Sequence, residues 1–212
     1  MSDPTPEADT GAGGYLDRET ARRLVAGTVS VNPAVRELMG QITKDHGGVA
    51  RLLRLVLADP DRLTALNAAG LLDGAPRLAL DQFAELTAEA LGVPYAAVSI
   101  LAEDRQIRLG CNDPGATPNR SIPLDESICK YAVVSGQPLI IDDIVRHPVL
   151  ADHPMALCGA IRAYAAFPLH DERGNPAGTL CAWDDQPRRW TSGQVQILED
   201  LAAAAHAKVF GA

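Results

Sequence analysis

Two apolar runs face each other across a polar turn near the C-terminus. Ala163 to Leu169 is one, Ala177 to Trp183 the other, and Asp171-Glu172-Arg173-Gly174-Asn175-Pro176 lies between them. Apolar runs around Gly, Asn and Pro predict a β-hairpin. Ala96 to Leu101, with its Val and Ile, predicts a buried strand, and Gln106 to Cys111 returns as a second after the turn at Glu103-Asp104-Arg105. Pro138 to Ile141 predicts a short strand. Helical spacing takes over elsewhere. Leu80, Phe83, Ala84, Thr87 and Leu91 fall on one face of a helix that Gly92 and Pro94 close. Asp125-Glu126-Ser127 opens a short helix, Ile128 to Ser135, which ends at Gly136. Thr191-Ser192-Gly193-Gln194 has the capping-box spacing and precedes Val195, Leu198, Leu201 and Ala205 of a last helix.

This order predicts an α+β fold. Its centre is a five- to six-stranded antiparallel sheet with helices packed on one face. Residues 15–60 read as a helical N-terminal extension. Asn32-Pro33 is a helix start, followed by Val35, Leu38, Met39 and Ile42 at helical spacing. His46-Gly47-Gly48 breaks that helix, and a second runs from Val49 to Leu57 until Asp59-Pro60 ends it. Two short helices cannot hide so many apolar side chains alone. They must cover the sheet domain or a second copy. The expectation is a homodimer through these helices and the last one, where Ala202-Ala203-Ala204-Ala205 permits close approach. Residues 1–14 read as a disordered tail, and 61–212 as the sheet domain.

A hydrophobic fraction of 47% supports a real core. The net charge of −8 argues against a nucleic-acid surface. Residues 15–60 hold seven basic against five acidic residues, an excess too small to suggest DNA. No run of eighteen apolar residues predicts a membrane span. No secretory signal is evident, so a cytoplasmic protein with reduced thiols is expected. Cys111, Cys129, Cys158 and Cys181 form no C-x-x-C pair, which argues against a structural zinc site. His147, His153 and Cys158 are chemically able to bind a metal or haem. In a Pro-rich loop they read instead as surface polar groups, and no metal is assigned.

Several segments in fixed order carry a family resemblance. They are Ser127-Ile128-Cys129, Pro138-Leu139-Ile140-Ile141-Asp142-Asp143, His147-Pro148, Tyr164 to Leu169 and Gly178-Thr179-Leu180-Cys181-Ala182-Trp183-Asp184. From about Asp61 to Phe210 the chain resembles a GAF domain, as found in bacterial sensor proteins. The resemblance implies a ligand pocket on the sheet face opposite the long helices, under loops and the short helix. It places Cys129, Asp142, His153, Cys158, Arg162 and Tyr164 near that pocket. It names no cofactor and no ligand. It implies a non-catalytic sensor that binds a small molecule and regulates a signalling partner through its helices. The alternative is a cysteine-based redox sensor or reductase on the same scaffold. Cys129, near a helix start, is a candidate for a lowered pKa. Its neighbours Lys130 and Tyr131 argue against bilin attachment. Cys181 alternates with Leu180 and Ala182 and reads as structural. Arg162 is a candidate partner for a ligand carboxylate, or for Asp142 or Asp143.

Overall fold

The computed structural model describes residues 17–30, 36, 46–73, 75, 77–113 and 120–211. The tail and the helix start at Asn32-Pro33 lie outside the described residues. Helix α1 (Arg18–Thr28) starts at Asp17, whose carboxylate accepts a 2.7 Å bond from the Thr20 amide. Helix α2 (His46–Leu57) includes the residues expected to break it. His46, Gly47 and Gly48 occupy its first turn, where glycine costs less because the amides there lack helical partners anyway. Asp59 caps α3 (Pro60–Ala68), with Pro60 at its first position. Helix α4 (Leu78–Leu91) closes at Gly92, left-handed at φ 62° as expected.

Strands β1 (Tyr95–Leu101) and β2 (Arg105–Cys111) form the first hairpin. Strand β3 (Ser121–Pro123) was not foreseen: three residues ending in proline carry no periodic signal, and such a strand survives only at an edge. Helix α5 (Cys129–Ser135), strand β4 (Leu139–Ile141) and helix α6 (Pro154–Leu157) follow. The final hairpin is β5 (Ala163–His170) and β6 (Pro176–Asp184). Asp171 organises its turn, accepting from the Arg173 and Asn175 amides. Helix α7 (Ser192–Phe210) begins with the expected capping box of Thr191 and Gln194.

The six strands form one antiparallel sheet in the order β3-β2-β1-β6-β5-β4. Strand alternation splits its side chains between two cores. Val98, Ile100, Ala165, Phe167, Leu180 and Ala182 pack under α4 and α7, which share one face as expected. Ala97, Leu101, Tyr164, Ala166 and Cys181 point the other way. There α5 lies across β1, β5 and β6, and α1 and α2 pack on the outside of α5. Val49, Leu53, Val56 and Leu57 are therefore buried within their own chain. Of the two covers open to the upstream helices, α2 takes its own sheet domain.

Arg62 holds this arrangement. Its side chain is 1% exposed. Nη1 donates to the Leu101 carbonyl at 2.6 Å and Nη2 to the Leu57 carbonyl. One guanidinium thus joins the end of α2 to the end of β1. Burial lowers its pKa to about 10, so it stays charged at neutral pH. Arg62→Met would leave both carbonyls buried and unpaired. At about 1–3 kcal/mol per orphaned group, the expected loss is roughly 3 kcal/mol, read as a lower urea midpoint. A midpoint unchanged from the wild type would contradict this role.

Candidate functional site

Between the second sheet face and the loops lies a cavity of about 530 Å³. Its floor is built by strand alternation. Cys181 and Trp183 of β6, Tyr95 of β1 and Tyr164 of β5 project to the same side, since β6 pairs with both neighbours in register. Tyr95 and Trp183 stack with ring centroids 5.4 Å apart. Gln106 and Arg108 of β2 form one wall, and Ser121 of β3 extends it. Met155, Cys158 and Ile161, on and after α6, form the opposite side.

Polar contacts fix the walls. The Ser127 hydroxyl donates to Gln106 Oε1, and Gln106 Nε2 donates to Ser99 Oγ at 2.9 Å. This chain ties the approach to α5 onto β1 and β2. Arg108 pairs with Asp113 at 3.2 Å while its buried Nε has no hydrogen-bond partner. Thr179 Oγ1, one strand alternation from Cys181, is also buried without one.

Cys129 enters from the start of α5. Its sulfur lies 3.0 Å from the Tyr164 hydroxyl and 3.8 Å from the Cys181 sulfur. Cys181 in turn reaches the Ala97 carbonyl at 3.5 Å. The hydrogen bond with Cys181 pulls the Cys129 thiol below its ordinary range, against burial, with Tyr164 and the Arg108 charge adding to the effect. The same pairing, together with burial, pushes Cys181 up. Burial keeps the Tyr164 phenol neutral and therefore able to donate. Among the described residues, no group of three or more His, Cys, Asp or Glu is placed to hold a metal ion.

Of the six residues expected near the pocket, Cys129, Cys158 and Tyr164 line the cavity. Cys158 is exposed at its edge, whereas Cys129 is buried. The other three have structural work elsewhere. Asp142 accepts from the Trp190 amide at 3.0 Å, and its carbonyl accepts from the Arg188 amide. Arg162 grips Asp143 through Nε and Nη2 at 3.0 and 2.9 Å. His153 caps α6, its Nδ1 accepting from the Met155 amide. Sequence reasoning missed Gln106, Arg108, Trp183 and the cavity-facing side of Cys181. The signal was there: Thr179, Cys181 and Trp183 are the polar and aromatic half of an alternation whose other half is Leu180 and Ala182.

A family model described as the GAF domain matches residues 76–207. The chain belongs to the GAF domain family. Solved GAF-like structures agree in fold. Free methionine-R-sulfoxide reductase from Neisseria meningitidis, solved with its substrate, is 19% identical with TM-score 0.50, covering 77% of this chain and 87% of that one. The GAF3 domain of Slr1393 from Synechocystis, in its photoproduct state, is 16% identical with TM-score 0.50, covering 62% and 91%. The type II free methionine-R-sulfoxide reductase of Thermoplasma acidophilum is 14% identical with TM-score 0.50, covering 69% and 97%. Identities this low speak for the fold alone. No curated protein matches the chain. No helix among the described residues is long and apolar enough to cross a membrane.

Two buried histidines on the loop side of this GAF domain generate an expected pH dependence. His147 Nδ1 accepts from the Val149 amide and His153 Nδ1 from the Met155 amide. Each Nε2 is buried without a partner. Burial lowers both pKa values to about 4, with the Arg36 charge assisting at His147 and the Lys130 charge at His153. A histidine depressed in the fold stabilises it above the unfolded pKa of about 6.5. That stability drains as pH falls from 6.5 towards 4. Denaturant titrations at several pH values should show His147→Gln and His153→Gln flattening this decline, each by roughly 1–2 kcal/mol. A slope unaltered in both variants would contradict the assignment.

Proposed function

We propose that this GAF domain is a non-catalytic sensor that binds a small polar molecule in the cavity and signals to a partner through its helices. One observation carries the reading: α5 forms part of the cavity wall with Cys129 and carries α1 and α2 on its outer side. A ligand that shifts α5 therefore acts directly on the N-terminal helices. The cavity volume lies within the usual range for small-molecule sites. Its lining supports a compact ligand with one flat apolar part against Trp183 and an acceptor for Arg108. Thermal melting against a panel of amino acids, short carboxylic acids and nucleosides tests this. A ligand present at a hundred times its Kd adds about 2.7 kcal/mol. For a chain of this size that is roughly 5–10 °C in Tm. Arg108→Met should abolish the shift. A panel without any shift, or a shift that Arg108→Met leaves intact, counts against the reading.

The same reading includes a homodimer. Because Val49, Leu53, Val56 and Leu57 are covered within the chain, the proposed contact keeps the last helix, α7, and replaces the upstream helices with α4. Leu78 and Leu86 on α4 and Ile197 on α7 are large exposed apolar residues. Sedimentation velocity should give a dimer that Leu86→Glu weakens at least tenfold, the equivalent of about 1.4 kcal/mol. A wild-type monomer at tens of micromolar would rule the contact out.

A further inference from the structure

The cavity floor contains two thiols whose sulfurs are 3.8 Å apart, brought together from positions 52 residues apart in the chain. We propose that Cys129 and Cys181 form a reversible disulfide, so that the floor is a peroxide-responsive thiol switch between α5 and the central strand β6. The inference goes beyond small-molecule sensing and does not depend on it.

Four features of the geometry support the pair. Both cysteines are among the residues lining the cavity, which gives a small oxidant a route to residues that are each 2% exposed. The sulfurs must approach by less than about 2 Å to reach a disulfide bond length near 2.05 Å. Their mountings differ. Cys181 lies on a strand paired on both sides, with Ala97 and Ala166, so it is held in place. Cys129 opens a seven-residue helix, whose first turn has to supply the approach. Tyr164 is hydrogen-bonded to Cys129 and able to supply a proton.

The oxidant is a hydroperoxide. The Cys129 thiolate attacks one peroxide oxygen and the O–O bond breaks. The departing oxygen takes a proton and leaves as water or an alcohol, and Cys129 becomes a sulfenic acid. The Cys181 sulfur then attacks the sulfenic sulfur. The S–O bond breaks, the hydroxyl leaves as water with the Cys181 proton, and the S–S bond forms. Two thiols lose two electrons and the peroxide gains them. Bond formation draws the first turn of α5 towards β6, and α1 and α2 rest on that helix.

The test uses the full chain, reduced and freed of reductant, then treated with one equivalent of hydrogen peroxide. Unfolding in guanidinium with excess N-ethylmaleimide near pH 7, followed by intact mass measurement, counts the remaining thiols. The expected result is loss of two of the four alkylatable thiols, a Cys129–Cys181 cross-linked peptide on mapping, and full recovery with dithiothreitol. Cys129→Ser and Cys181→Ser should each abolish that cross-link. The Cys111→Ser/Cys158→Ser variant keeps only the proposed pair and should still lose both thiols, which decides the matter even if the other variants fail to fold. A cross-link through Cys111 or Cys158, Cys129 oxidised only to the sulfinic acid, or four thiols untouched would each overturn the proposal.

Discussion

One buried cation determines how the two halves of this molecule meet. Arg62 has no carboxylate within ion-pair distance among the described residues, and it spends its charge on two main-chain carbonyls. An ammonium could not span both; the planar fork of guanidinium can. Because the Leu57 carbonyl belongs to the last turn of α2, the positive charge also sits where the helix dipole is negative. The docking of α2 leads to the docking of α1, and both lie on α5. Thus the helix that walls the cavity is held from outside by elements whose position depends on Arg62.

The sheet is the second constraint. A strand buried on one face alternates visibly in sequence; one buried on both reads as a continuous apolar run. Ala96 to Leu101 and Ala163 to Leu169 are of the second kind. That made the strands easy to read and the use of their two faces hard to read. The capping box of Thr191 and Gln194, the left-handed Gly92 and the turn at Asp171 were legible because each is a local rule. Strand β3 was not, because its existence depends on the edge of β2.

The site was legible only in part for the same reason. Cys129, Cys158 and Tyr164 converge at the cavity, but Asp142 and Arg162 found partners a sequence cannot rank. Trp190 claims the Asp142 carboxylate, and Asp143 claims Arg162. Arg108 is the opposite case. Between Ile107 and Leu109 nothing in the local sequence marks it out, yet it lines the cavity. Which polar residue meets a ligand and which meets a neighbour is settled by long-range pairing, which no window of sequence contains.

Helix α5 is only seven residues long, and Cys129 through Val134 are all buried. A segment of that length has almost no helical stability of its own; nucleation alone makes it unfavourable in water. It exists because both its sides are occupied, by the sheet below and by α1 and α2 above. Such an element is ill suited to act as a rigid lever. It behaves more like a keystone, whose form depends on load from two directions. Taking away either load removes the fold of the piece itself, so inputs from below and outputs above share a single, cooperative unit.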